Sequence, residues 1–107
     1  MPVYIMLTKL TDKGAETIRE NPERILEVDR EIQEMGATVR EQYATLGEYD
    51  FVNILEAPDN VTAEKVSLAL ASRGTIRIET LPGIPVAELV DRLSSERMAG
   101  SGAYAGY

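Results

Sequence analysis

The segment LGEYDFVNILEAPDN, residues 46–60, constrains the fold most, because a turn there leads directly into a strand that stops at Pro58-Asp59. Gly47 supplies the backbone freedom for a chain reversal, and the Asp50 carboxylate can accept backbone N–H bonds that pin the loop. Tyr49 adds a large ring with a hydroxyl group. These residues predict a tight connection between two neighbouring strands.

Two alternating segments flank this turn. Residues 38–45 predict one strand, and residues 51–57 predict the strand that returns beside it. Strict alternation gives the first strand the faces Val39, Glu41, Tyr43 and Arg40, Gln42, Ala44, and the second strand the faces Phe51, Asn53, Leu55 and Val52, Ile54, Glu56. We predict that the two strands form an antiparallel hairpin.

The chain before the hairpin predicts one strand and two helical segments. Residues 3–10 are β-rich and apolar on both faces, which indicates a strand covered on both sides. Thr11 is the expected N-cap of a helix that ends at Glu20, with Ala15 and Ile18 turned inward. Asn21 as N-cap and Pro22 as first helical residue begin the next helix, which runs to Gly36. Either one helix breaks at Asn21-Pro22 or two helices meet there.

The chain after the hairpin predicts a helix, a strand and a terminal helix. Thr62 is the expected N-cap of the first helix, and Gly74 closes it. Residues 75–81 alternate as a strand, with Ile76, Ile78 and Thr80 against Thr75, Arg77 and Glu79. A turn follows over residues 81–85. The terminal helix carries the apolar residues Val86, Leu89, Val90 and Leu93.

The resulting order is strand, helix, strand, strand, helix, strand. It predicts the α+β class, as a ferredoxin-like βαββαβ sandwich with an antiparallel sheet and an extra C-terminal helix. Two helices on one face of the sheet leave the other face uncovered, and a second copy of the chain is the simplest cover. We therefore expect a homo-oligomer, a dimer or higher, whose sheet face is covered by oligomerisation.

Length and charge limit the organisation and the partners. With 107 residues we expect a single domain over residues 1–98, followed by a flexible Gly/Ser/Tyr tail over residues 99–107. A net charge of −7 opposes phosphate backbones and anionic lipid surfaces, so neither nucleic acid nor membrane is an expected partner. No apolar stretch approaches about 18 residues, and the expected location is cytoplasmic.

The chain has no cysteine and no histidine. Thiolate nucleophiles, zinc sites and the side chain best suited to proton transfer near neutral pH are therefore excluded. The glycines match neither the phosphate-loop nor the dinucleotide-binding pattern. Acidic groups such as Asp59 with Glu64 are explained by solvated helix surface. We expect no metal and no cofactor, and leave open whether the chain is an enzyme.

Three segments together resemble the GYD-domain family, which is named for a Gly-x-Tyr-Asp pattern. They are Gly47-Glu48-Tyr49-Asp50-Phe51-Val52, the strand end Glu56-Ala57-Pro58-Asp59, and residues 74–81, GTIRIETL. The resemblance covers about residues 2–81. It implies a ferredoxin-like domain related to the dimeric α/β barrels, whose members associate through their sheets and sometimes enclose small apolar ligands. It implies no catalytic residues.

The candidate site residues each allow a structural and a functional interpretation. Asp50 locks the loop, or Tyr49 and Asp50 form the rim of a pocket, where Tyr49 donates a hydrogen bond and Asp50 either orients it or acts as a base. The side chains Tyr4, Tyr43, Arg40, Arg77 and Glu79 lie on predicted strands and can share a sheet face. There they either bind a polar organic ligand or form cross-strand pairs at an interface between sheets.

These observations support three functions. The first is a homo-oligomeric small-molecule binding or regulatory protein. The second is a cofactor-independent isomerase or monooxygenase-like enzyme of the dimeric α/β-barrel type, in which Tyr49 or Tyr43 polarises a substrate oxygen and Asp50 or Glu79 moves a proton. The third is a structural or partner-recruiting module. A cavity between sheet and helices, lined by a tyrosine and a carboxylate, favours the first two, and a filled core favours the third.

Overall fold

The computed structural model describes residues 1–99. The elements are β1 (Val3–Leu10), α1 (Asp12–Glu20), α2 (Arg24–Glu34), β2 (Thr38–Ala44), β3 (Phe51–Glu56), α3 (Asn60–Ala71), β4 (Ile76–Gly83) and α4 (Val86–Ala99). The predicted tail, apart from Ala99, lies outside the described residues. Within the described part of the chain, no helix is long and apolar enough to cross a membrane.

The four strands form one antiparallel sheet in the order β2-β3-β1-β4. This is the predicted ferredoxin-like arrangement, and β2 and β3 form the predicted antiparallel hairpin. β4 runs two residues further than expected and includes Pro82. Because β4 lies at an edge of the sheet, a residue without a backbone N–H is tolerated there.

The core lies between one face of the sheet and the helices. It consists of nine buried apolar residues, namely Tyr4, Met6, Ile32, Ala37, Leu55, Ala57, Ala63, Val66 and Leu70. Burial of each large apolar side chain stabilises the fold by about 1.5–3 kcal/mol. β1 and β3 place their alternate residues here, which leaves Val3, Ile5 and Leu7 on the opposite, open face of the sheet.

Helix α1 begins as predicted but packs through a different residue. The Thr11 hydroxyl accepts the Gly14 N–H at 3.1 Å and donates to the Gly74 carbonyl at 2.9 Å. The expectation that Ala15 faces inward is wrong, because Ala15 is exposed and Gly14 is buried. A Cβ atom at Gly14 would lie 1.9 Å from the Thr75 carbonyl oxygen. The helix therefore approaches the start of β4 too closely for any other residue.

The starts of the next two helices differ from the predictions. Two helices meet at residues 21–23, but Asn21 is the C-cap of α1, and α2 begins only at Arg24. Helix α3 is capped by Asp59 and not by Thr62, because the Asp59 carboxylate accepts the Thr62 N–H at 2.8 Å. That hydrogen bond holds the pKa of Asp59 below its ordinary value. Both polar residues fit a capping pattern, and the local sequence does not distinguish them.

An irregularity in β2 changes its predicted faces. The pairing with β3 shifts between Val39 and Glu41, so the two residues no longer share a face. On the helix side, Val39 pairs with Leu55 and Gln42 pairs with Asn53. On the open side, Glu41 pairs with Ile54. One extra residue in one strand is the usual cause of such a reversal.

The close contact at Gly14 gives a stability test. We expect Gly14→Ala to lower the free energy of unfolding by about 1–3 kcal/mol through overpacking against the Thr75 backbone, although alanine is the better helix former. Urea denaturation measures the change. Lys13→Ala, at the exposed preceding position, is the control and should stay within about 0.5 kcal/mol of the parent protein. An unchanged or more stable Gly14→Ala variant would contradict the packing described for α1.

Candidate functional site

The turn between β2 and β3 is fixed by backbone and side-chain hydrogen bonds. Gly47 has a φ angle of 106°, in the left-handed region that favours glycine. The Thr45 N–H donates to the Asp50 carbonyl at 2.8 Å, and the Asp50 N–H donates to the Thr8 carbonyl at the same distance. The Asp50 carboxylate accepts the Leu10 N–H at 2.7 Å. Asp50 thus has the main-chain partner expected of a loop lock.

Tyr49 extends from the same turn and contacts both central and edge strands. Its hydroxyl donates to Glu79 Oε2 at 2.7 Å, across to β4. Lys9 Nζ of β1 lies 5.3 Å from the centre of the Tyr49 ring and 3.3 Å from Glu48 Oε1. The four side chains form a polar cluster, which we call the turn cluster. It ties the tip of the hairpin to β1 and β4.

The turn cluster borders the open face of the sheet. One row of paired residues crosses all four strands on this face. It consists, from β2 to β4, of Tyr43, Val52, Leu7 and Glu79. Three strand spacings separate the ends of this row, which places Tyr43 and Glu79 about 14 Å apart at opposite edges of the sheet. Tyr43 therefore does not join the Tyr49–Glu79 pair, and its hydroxyl donates instead to Glu41 at 3.2 Å.

The five strand residues that were predicted to share a sheet face lie in different places. Tyr43, Arg77 and Glu79 lie on the open face, and Arg40 reaches Glu56 in a 2.9 Å ion pair. The inclusion of Tyr4 in this group is wrong. Tyr4 is 3% exposed in the core, and its hydroxyl donates to Asn60 Oδ1 at 2.6 Å. β1 is apolar on both faces, so its sequence does not show which face the helices cover.

The electrostatics of the turn cluster keep the Tyr49 phenol neutral. The hydrogen bond to Glu79 raises the pKa of the Tyr49 phenol, so this group stays protonated near neutral pH. Glu79 is exposed to water, and Asp50 is occupied by the Leu10 N–H. Within residues 1–99 there is no group of three or more side chains that could hold a metal ion. The cluster is a polar surface next to apolar strand residues.

Sequence reasoning overlooked Lys9 and Glu48 in this cluster. Both are charged residues beside predicted turns or strand ends, and only the tertiary fold brings them together. It also gave no role to Asn53, although alternation placed this amide on the same face as the apolar Phe51 and Leu55. A polar residue at a core position was the available signal.

The fold and the turn define an α+β protein of ferredoxin-like topology whose central hairpin is fixed by an aspartate and a tyrosine. The GYD domain model matches residues 4–92, and the chain belongs to this family.

One similar curated protein is the glutamine synthetase and cystathionine beta-lyase binding protein of Thermus thermophilus. It is 53% identical over 94 residues, which cover 87% of this chain and 99% of the relative.

Two solved structures share the fold. The crystal structure of TTHA0845 from Thermus thermophilus has a TM-score of 0.53 and 22% identity, and the match covers 79% of this chain and 95% of the other. The crystal structure of FFRP-DM1 has a TM-score of 0.55 and 21% identity, with 78% and 100% covered. At these identities the similarity supports the topology alone.

The lock at Asp50 gives a mutational test. We expect Asp50→Ala to lower the free energy of unfolding by about 1–3 kcal/mol, because the Leu10 N–H loses its acceptor. Asp50→Asn keeps an oxygen acceptor and should lose less. Glu48→Ala, at an exposed site in the same turn, is the control. Equal stability of Asp50→Ala and Glu48→Ala in chemical denaturation would contradict the lock.

The Tyr49–Glu79 bond gives a pH-dependent test. Because the Tyr49 pKa is raised in the folded state, its contribution to stability is fully present below the ordinary phenol pKa of about 10 and is lost as the pH rises through the folded pKa. We expect Tyr49→Phe to reduce the fall in melting temperature between about pH 9 and 11. Glu79→Gln should act similarly, since it removes the charge that raises the pKa. An alkaline profile unchanged by either substitution would exclude this contribution.

Proposed function

We propose that this chain is a non-catalytic, homo-oligomeric binding protein that regulates partner enzymes. The observation that carries the proposal is the apolar stripe on the open face of the sheet. It comprises Val3, Ile5, Leu7, Val52, Ile54 and Leu81, on three neighbouring strands. Leu81 is 42% exposed and the other five residues are partly exposed. Contiguous apolar surfaces that the chain itself does not fully cover are typical of protein interfaces.

A second copy of the chain is the occupant best supported for this face. The stripe is bordered by Glu41 and Tyr43 on β2 and by Arg77 and Glu79 on β4, so its rim carries charges of both signs. Charges of both signs on one surface allow two copies to pair opposite charges across a symmetric interface, because each copy presents the same patch. We propose that residues 1–98 form one domain. Two such domains would associate through their sheets, as in the dimeric α/β barrels.

Helix α4 offers a separate surface for a partner enzyme. Four apolar residues recur along α4 at helical spacing and are exposed. They are Val86 (72% exposed), Leu89 (45%), Val90 (52%) and Leu93 (48%). Amphipathic helices with such a stripe bind in apolar grooves of other proteins. The match to the family model reaches residue 92 and therefore includes the first part of this helix.

The identity of the partner is suggested by the Thermus relative. Its name states that it binds glutamine synthetase and cystathionine beta-lyase, and nearly its whole length aligns with this chain. We therefore take these two enzymes as the first candidate partners. We also propose that the chain acts in the cytoplasm. A catalytic role has less support, because Asp50 is engaged by the Leu10 N–H and Glu79 is exposed to water.

Three matched substitutions test both surfaces in the full chain. Leu81→Glu places a charge on the sheet stripe, Val90→Glu places one on α4, and Leu68→Glu places one on the outer side of α3. The parent side chains are 42%, 52% and 61% exposed. Sedimentation equilibrium at micromolar concentration measures the mass, and calorimetric titration with each purified enzyme measures binding.

We expect the parent chain to sediment at about twice 11.8 kDa and to bind at least one of the two enzymes. Leu81→Glu should shift the mass toward the monomer, because a charge would be buried at the interface. Val90→Glu should keep the dimer and lose at least about tenfold in enzyme affinity. Leu68→Glu should change neither. A monomeric parent chain would overturn the dimer, and binding to neither enzyme would overturn the partner assignment.

A further inference from the structure

A cavity of about 210 Å³ lies between the helix-facing side of the sheet and helices α1 and α2. Its walls are mainly apolar and include Met6, Ile18, Ile25, Val28, Phe51 and Ile78. An apolar cavity of about 150 Å³ is large enough to bind benzene, so this space fits a molecule built on one substituted ring. A carboxylate, Asp29, lines the cavity, but no tyrosine of the described chain does.

Asn53 is the unexplained polar residue of this cavity. It lies on β3 among core residues, is 8% exposed and lines the cavity wall. Its Oδ1 atom is buried and has no hydrogen-bond partner among the described residues. Because folded proteins rarely keep a buried carbonyl oxygen unpaired, this atom marks a place where a donor is missing.

The remaining polar groups also favour a donor on the ligand. Gln42 is the strand partner of Asn53, and its amide donates to Asp29 Oδ1 at 3.0 Å. Asp29 is partly buried, and this burial raises the pKa of its carboxyl group. The acceptors on this side of the cavity are Asn53 Oδ1, which has no partner, and the Asp29 carboxylate, which accepts one bond from Gln42.

The cationic side chains at the cavity are already paired. Arg24 contacts Glu27 at 3.1 Å and Glu31 at 3.0 Å, and Arg73 also forms an ion pair with Glu31. These contacts lower the pKa of Glu31, so the acid stays ionised and holds both arginines. An anionic ligand would have to compete with two carboxylates for them.

We propose that this cavity binds a small, mainly apolar molecule of one ring that carries a hydroxyl or amino group, and that this group donates its hydrogen bond to Asn53 Oδ1. The site is distinct from the turn cluster and from the sheet stripe, which lie on the other side of the sheet. It does not depend on the partner-enzyme proposal.

Phenol and benzene are suitable probes, because they have similar shapes and differ in one donor. Titration of the full chain, followed by ¹H–¹⁵N NMR, gives the affinity of each probe and shows whether the shifted resonances belong to the cavity lining. We expect phenol to bind about tenfold more tightly than benzene, the value of one hydrogen bond to an otherwise unpaired acceptor. The Asn53 side-chain amide should shift with phenol.

Two variants and a control separate the site from general apolar binding. Asn53→Leu should remove the preference for phenol while retaining benzene binding. Ile25→Phe, which fills the cavity from α2, should abolish both and does not depend on Asn53. Ser67→Ala is the control, since this buried hydroxyl bonds with Thr80 and the Ala63 carbonyl and does not line the cavity.

Three results would overturn the proposal. One is the absence of any shift at cavity residues with either probe up to its solubility limit. The second is equal affinity of the parent chain for phenol and benzene. The third is unchanged binding of both probes by the folded Ile25→Phe variant.

Discussion

The junction at Leu10 and Thr11, where β1 passes into α1, is the point on which the rest of the structure depends. The Leu10 N–H is bound by the Asp50 carboxylate of the hairpin turn. The next residue, Thr11, donates its N–H to the Thr75 carbonyl and its hydroxyl to the Gly74 carbonyl, at the start of β4. Both strands that flank β1 are therefore fixed at the same end of it. These hydrogen bonds fix the strand ends at this end of the sheet and the position of the start of α1.

The two faces of the sheet have different surroundings. On the open face, the turn cluster sets one end of the apolar stripe and supplies its polar rim. On the opposite face, α1 and α2 are held far enough from the strands to leave the cavity beside Asn53. In the proposed arrangement the sheet stripe contacts a second copy of the chain and the cavity holds a small molecule, and neither contact requires a catalytic residue. The two sites share β1 and β3, whose residues alternate between them.

The fold class and the hairpin were accessible from sequence, because each depends on local chemistry. An Asp50 carboxylate that accepts a main-chain N–H was also predicted, although its donor, Leu10, lies 40 positions away. Alternation predicts strands, and Gly47 with Asp50 predicts the turn between them. The side of the sheet that Tyr4 faces could not be predicted. Strand β1 is apolar on both faces, so the alternation of its residues does not show which face the helices cover. The irregularity at Arg40 could not be predicted either, because an extra residue in one strand depends on pairing with the other. Gly14 was overlooked because a glycine adds nothing to a hydrophobic pattern, although its missing side chain is what the packing requires.

The close approach of Gly14 to Thr75 has a consequence for how the chain is assembled during synthesis. The hydrogen bond from Thr11 to Gly74 joins residues 63 positions apart, and that from Leu10 to Asp50 joins residues 40 positions apart. Closing such long loops costs chain entropy before any contact compensates it. Helix α1 and its neighbours β1 and α2 are synthesised early, yet the Gly74 and Thr75 carbonyls that hold the start of α1 are synthesised only after most of the domain. The final contacts of the first helix can therefore form only once the chain has been translated to residue 75.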